Sequence, residues 1–134
     1  MSSVSILVLE DNRPNAVAYR AVLESMGWTV LLAENAANGI EQAKRASPDV
    51  IVVDVLLPDM TGFEVVKALR QDASLLDTPI LMCSAYETEQ MADTALRVGC
   101  QAFLTKPVSA QALVEKVEEL LRADLRPQSK APAS

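Results

Sequence analysis

Residues 49–69 read Asp49-Val50-Ile51-Val52-Val53-Asp54-Val55-Leu56-Leu57-Pro58-Asp59-Met60-Thr61-Gly62-Phe63-Glu64-Val65-Val66-Lys67-Ala68-Leu69, and two patterns meet in them. From Asp49 to Val53 the run is apolar with little alternation and is bounded by acids, the mark of a strand buried on both faces. From Thr61 the spacing changes. Thr61 and Glu64 stand as in a capping box, in which a hydroxyl and a carboxylate satisfy backbone donors at a helix start, and Val66 and Leu69 then turn inward. A doubly buried strand leading into a helix is half of a βαβ unit, because parallel neighbours need a crossover of about a dozen residues or more.

The same alternation repeats on either side. Val4–Leu9 reads as another strand buried on two faces, and Thr29–Ala33, Pro79–Cys83 and Ala102–Leu104 supply three more. Between them, Ala16, Tyr19, Val22, Leu23 and Met26 share one helical face, closed by Gly27. Ala36, Ile40 and Ala43 mark a second helix, and Met91, Ala95 and Val98 another, closed by Gly99. The last is the clearest: Ser109 can cap it, and Ala110, Leu113, Val114, Val117, Leu120 and Leu121 recur every three or four residues. Five strands alternating with five helices predict an α/β domain over residues 1–123, with a parallel sheet covered on both faces. Residues 124–134 carry two prolines and no periodicity, and are expected to be a disordered tail or the start of a linker.

Composition narrows the function. Half of the 134 residues are apolar, enough for one domain that buries about 65 to 70% of the unfolded chain's surface. No run approaches about 18 apolar residues, and the first residues lack a basic segment before an apolar one, so a soluble, cytoplasmic protein without membrane contact is expected. Cys83 and Cys100 have no paired spacing and the chain has no histidine, which leaves a zinc or iron site short of ligands. Both cysteines read as small core or near-surface thiols. A net charge of -6 argues against direct nucleic-acid binding, which needs a basic face.

Ligands of open α/β sheets bind beyond the carboxyl ends of the strands. There the first strand runs into Glu10-Asp11-Asn12, the third into Asp54, the fourth into Ser84 and the fifth into Thr105-Lys106-Pro107. Converging carboxylates repel, and a hard divalent cation with oxygen ligands, Mg²⁺ before others, is the simplest compensation. Lys106 and the Ser84 hydroxyl then make this an anion site, in which Asp54 is the nucleophile able to form an acyl phosphate. Taken singly, each acid is better explained by a helix cap or a solvated loop. The joint reading rests on four strands delivering complementary groups to one edge. Asp59 is accounted for by turn chemistry around Pro58 and Gly62, Asp49 by the start of a strand, and Trp28 by packing at an edge strand.

At Val8-Leu9-Glu10-Asp11-Asn12, Val52 to Gly62, Met82-Cys83-Ser84-Ala85 and Ala102 to Pro107, over roughly residues 4 to 121, the sequence resembles the response-regulator receiver family of bacterial two-component systems. The resemblance implies a flavodoxin-like (βα)5 fold with strand order 2-1-3-4-5. It implies Asp54 as phosphoacceptor, Asp11 and Asp54 as Mg²⁺ ligands with the Leu56 backbone carbonyl, and Glu10 as an outer acid acting through water. Ser84 and Lys106 would contact the phosphoryl group, and the bond before Pro107 is often cis in the family. Phe103 would be the aromatic switch answering Ser84, with output through the fourth helix, fifth strand and fifth helix. Leu56 and Tyr86 fall where the family places side chains beside the attacking water, so they would tune dephosphorylation. The implied partners are a sensor histidine kinase or histidine phosphotransfer protein and a downstream protein target. The chain would catalyse only its own phosphotransfer and dephosphorylation. A single-domain regulator is favoured, although the stretch from Glu10 to Val30 also looks like receivers attached to hybrid kinases.

Three other functions compete. A flavodoxin-type cofactor carrier needs a glycine- and hydroxyl-rich cradle after the first strand, where Glu10 and Asp11 would repel a phosphate. A haloacid-dehalogenase-type phosphatase needs an acid two residues after its nucleophile, and position 56 is leucine. A constitutive protein-interaction module with a receiver fold remains open, since a site can persist while output ignores it.

Overall fold

The computed structural model describes residues 4–85 and 88–124. Five strands, β1 (Ser5–Leu9), β2 (Thr29–Ala33), β3 (Val50–Asp54), β4 (Ile80–Ser84) and β5 (Ala102–Thr105), alternate with five helices. These are α1 (Arg13–Glu24), α2 (Ala36–Ala46), α3 (Gly62–Arg70), α4 (Glu89–Val98) and α5 (Ala110–Ala123), with a single 3-10 turn at Ala73–Leu75 before β4. All strand pairs are parallel, in the order β2-β1-β3-β4-β5, the flavodoxin-like arrangement.

The apolar runs are doubly buried because side chains alternate between two helix layers. Leu7, Leu9, Ile51, Val53, Ile80 and Met82 pack with α2, α3 and Ala95 of α4. Ile6, Val8, Val50, Val52, Leu81 and Cys83 pack with Tyr19 and Leu23 of α1 and with Leu113, Val117 and Leu120 of α5. The chain leaves β1 toward one layer and β3 toward the other, so a crevice opens between their carboxyl ends, the switch point at which such sheets bind ligands.

Local signals behave largely as their chemistry dictates. Asn12, Asn35, Thr61, Thr88 and Ser109 each cap the following helix by accepting a backbone N–H three residues on. In the Thr61 box, Glu64 accepts the Thr61 hydroxyl at 3.2 Å. Gly99 ends α4 at φ +114, where a Cβ would be strained.

Several expectations shift. β3 and β4 each begin and end one residue later than the sequence suggests, so Asp54 and Ser84 are the last residues of strands and the pleat fixes their direction. The cause lies at the strand starts: the Asp49 carboxylate accepts the Ser5 N–H at 2.8 Å, and Pro79 contributes only its carbonyl, to Ile51. Met26 does not extend the apolar face of α1. The helix ends at Glu24 and Met26 is 40% exposed in the turn that follows. Ala110, at the first position of α5, is also exposed. Trp28 packs partly buried against the α1–α5 layer, and both cysteines are buried and unpaired. From residue 125 on, the expected tail lies outside the described residues, as does Tyr86.

Candidate functional site

Glu10 directly follows β1 and is 3% exposed. Its Oε2 accepts the Asn12 N–H at 3.1 Å, which holds the carboxylate over the sheet edge, while its Oε1 accepts from Lys106 Nζ at 2.7 Å. Lys106 also donates to Asp54 Oδ2 at 2.9 Å. One ammonium thus spans two buried carboxylates from different strands. Its backbone is fixed by an N–H bond to Ser84 O at 2.7 Å and by a cis bond to Pro107.

Asp11 is exposed at the mouth of the crevice, and single carboxylate oxygens of Glu10, Asp11 and Asp54 lie within 4.8 Å of one another. A cleft of about 220 Å³ collects Glu10, Asp11, Asn12, Asn15, Asp54, Val55, Leu56, Ser84, Ala85 and Lys106. It therefore brings together Glu10, Asp11, Asp54, Ser84 and Lys106, the groups from which the anion site was read in the sequence. Phe103 lies outside it, partly buried against the α2–α4 layer. The pleat puts Ser84 on that same face, in line with Ile80 and Met82.

The loop after β3 is folded back tightly. Gly62 donates to Val55 O at 2.7 Å, Leu56 pairs with Thr61, and a Cβ on Gly62 would stand 2.5 Å from Asp54 O. Only glycine permits that approach. Leu56 donates its N–H to Asp54 Oδ1 at 3.3 Å, and its side chain is 56% exposed.

Burial pushes the Glu10 carboxyl up, the Asp54 charge adds to this, and the Lys106 hydrogen bond only partly opposes it. Burial pulls Lys106 the other way, but its bonds to Glu10 and Asp54 outweigh that and hold it above the ordinary lysine range. The lysine is a fixed cation at neutral pH. Burial, reinforced by neighbouring charge, raises Tyr19 to about 12, so it stays a neutral phenol against the α1 side.

The acids fit a small hard cation. Oxygen donors from two strand ends converge, one of them solvent-facing, and among the described residues they form the only such group of three. Sequence reasoning missed two residues here. Asn15, in the first turn of α1, lines the cleft, and its one signal is its place four residues after Asp11. Asp59 was assigned to its own turn, yet its carboxylate reaches α2, accepting from Ala36 N at 2.8 Å and Ala37 N at 2.9 Å.

Comparison with known proteins agrees with this geometry. Residues 6–118 match the family model of the response regulator receiver domain. The polar-differentiation response regulator DivK of Brucella anthropi is 28% identical over 117 residues, which cover 87% of this chain and 95% of that protein. The chemotaxis response regulator CheY4 of Vibrio cholerae superposes with a TM-score of 0.86 at 29% identity, covering 90% of this chain and all of that one. The signal receiver domain of a signal transduction histidine kinase from Syntrophus aciditrophicus gives 0.84 at 26% identity, covering 98% of this chain and 100% of that one. With the family's fold, its acidic pocket and a family match across most of its length, the chain belongs to the response regulator receiver domains of two-component systems.

Proposed function

We propose that the chain is a phosphorylation-dependent switch that accepts a phosphoryl group on Asp54 in a Mg²⁺-dependent reaction. The observation that carries this is the Lys106 ammonium, held at 2.9 Å from Asp54 and 2.7 Å from Glu10 in a cleft that also takes in Asp11 and Ser84. An acid alone would suit a cap. An acid already facing a fixed cation and a strand-end serine suits an incoming anion.

Asp11, Asp54 and the Leu56 carbonyl would hold the metal, with Glu10 reaching it through water. Bound there, Mg²⁺ supplies charge neutralisation for phosphoryl oxygens. The chain's own part is attack and orientation. An Asp54 carboxylate oxygen bonds to phosphorus as the P–N bond of a phosphohistidine breaks, and the imidazole leaves with the electron pair. Lys106 transfers its hydrogen bonds from the carboxylates to a phosphoryl oxygen, and the Ser84 hydroxyl donates to another. Movement of Ser84 opens room on the sheet face it shares with Phe103, which carries the signal to α4, β5 and α5. The Leu56 side chain offers no polar atom to hold a hydrolytic water, and Tyr86 is bulky enough to cover its approach, which together favour slow self-dephosphorylation.

The donor is a sensor histidine kinase or a histidine phosphotransfer protein, and the output is a protein contact. Among the described residues no helix is long and apolar enough to cross a membrane, and a cytoplasmic location follows from this partner set. Intact mass after incubation with acetyl phosphate and Mg²⁺ should show one added phosphoryl group on the native chain and none at this site in Asp54→Asn. Equal labelling of both would remove Asp54 as acceptor and favour the constitutive interaction module.

A further inference from the structure

Asp59 is exposed, yet both of its carboxylate oxygens are spoken for by a helix 22 and 23 residues away. Ala36 and Ala37 carry two of the four N–H groups that the first turn of α2 cannot satisfy internally. Asn35 answers a third: its side chain accepts from Asn38 at 2.8 Å, and the regular helical bonds begin where Gly39 donates to the Asn35 carbonyl at 3.1 Å. α2 has no acid in its own first turn, so Asp59 also supplies the negative charge that the positive end of a helix favours. The two backbone bonds hold the Asp59 carboxyl below its usual range.

The tether joins the loop that follows Asp54 to the helix packed on the strand that leads into Glu10. One end is the loop from Asp54 through Leu56 to Thr61. The other is α2, which sits directly on β1: a Cβ on Gly39 would stand 2.2 Å from a Leu9 methyl, and Leu9 is the residue before Glu10. Glu10 in turn donates its N–H to Ala33 O at 3.0 Å, just ahead of α2. Contacts therefore run from the β1 loop to the β3 loop by way of α2, independently of anything bound in the cleft.

We propose that Asp59 is a positioning residue: by fastening the β3–α3 loop to the start of α2 it sets the distance between Leu56 and the Glu10–Asp11 pair, and so the affinity for Mg²⁺. The affinity claim rests on the reading of the cleft given above, whereas the tether does not.

The test is a calorimetric Mg²⁺ titration of the full chain in four forms: native, Asp59→Ala, Asp59→Asn, and Asp59→Ala combined with Ala37→Glu. Ala37 is exposed, and a glutamate there returns charge to the helix start without rejoining the loop. The Kd for Mg²⁺ should rise about tenfold in Asp59→Ala, as for loss of an outer-shell support, and less in Asp59→Asn, which keeps an acceptor oxygen. In the double variant thermal stability should recover while the Kd stays raised. Phosphorylation by acetyl phosphate at saturating Mg²⁺ should stay near the native rate. A native Kd in Asp59→Ala, or its restoration by Ala37→Glu, would overturn the positioning role and leave a helix cap. Backbone amide shifts without metal form a separate arm: Asp59→Ala should move Leu56 to Met60 as well as Ala36 and Ala37, and unmoved Leu56 overturns the tether itself. Absence of any Mg²⁺ heat from the native chain would instead overturn the reading of the cleft, and with it the affinity claim. Should Asp59→Ala not fold, Asp59→Asn carries both arms.

Discussion

Lys106 stands between two carboxylates that burial sets against each other. The sign of its contribution follows from its shift. Its folded pKa is raised above the usual 10.5, so the stability it supplies is fully present below that value and is lost only as pH climbs through the folded one. Glu10 is also raised, above 4.5, which for an acid means that folding favours the protonated form and that stability falls as pH rises from that value through the folded one. The lysine offsets that loss. Lys106→Ala should therefore destabilise the metal-free protein at pH 7.5 by about 3 kcal/mol, the low end for breaking a buried pair because the cleft is open to water. The penalty should shrink at pH 5, where a carboxylate can take up a proton. Urea midpoints at the two pH values check this, and an equal penalty at both would mean that carboxylate repulsion is not its source. The positions of Asp54, Ser84 and Lys106 were legible because each closes or follows a strand, and strand ends of such sheets face one crevice. Asp59 was not, since nothing in Pro58-Asp59-Met60 reveals that its partners are Ala36 and Ala37.

Among the helices, α4 buries only Ala95 completely, and it is fastened mainly at its far end. The Arg70 guanidinium, from the last residue of α3, donates to Gly99 O at 2.6 and 3.2 Å, to Leu75 O at 2.7 Å and to Gln101 Oε1 at 3.0 Å. One planar group thus ties α3, the 3-10 turn, the end of α4 and the approach to β5. Arg70→Lys should cost about 2 kcal/mol, because a single ammonium cannot serve acceptors on several sides, and should speed amide exchange around Gly99 to Gln101. Exchange changes spread evenly over the sheet would contradict a local fastening. The α4 stripe and its Gly99 stop could be read from periodicity. Arg70 could not, as its acceptors are two backbone carbonyls and a glutamine side chain brought close only by the fold. The one-residue shifts of β3 and β4 have the same origin, since hydrophobic runs do not show where Asp49 and Pro79 spend their hydrogen-bonding groups.

The molecule carries a net charge of -6, and its described ligand-like acids gather at one sheet edge. A cation that binds only the folded chain stabilises it by mass action, about 1.4 kcal/mol at ten times its Kd, or about 5 °C in Tm for a domain of this length. Native protein should show that rise with Mg²⁺ and lose it with a chelator, while Asp11→Ala should show little of it. A rise of the same size in both would move the ion away from Glu10, Asp11 and Asp54. Calorimetry suits the binding itself better than fluorescence. Trp28 precedes β2, five residues or about 16 Å along the sheet from the carboxyl end of that strand.

The bond from Asp59 to α2 also imposes an order on biosynthesis. A ribosome adds about 5 to 20 residues per second, and the chain emerges amino end first. When residues 5–46 have emerged, β1, α1, β2 and α2 are all available, but the second edge of β1 still lacks β3 and two first-turn amides of α2 still lack an acceptor. Both deficits are made good by the same stretch, residues 50–59. The nascent amino-terminal half therefore stays incomplete until Asp54 itself is outside, and the proposed phosphoacceptor arrives within the segment that locks the structure around it.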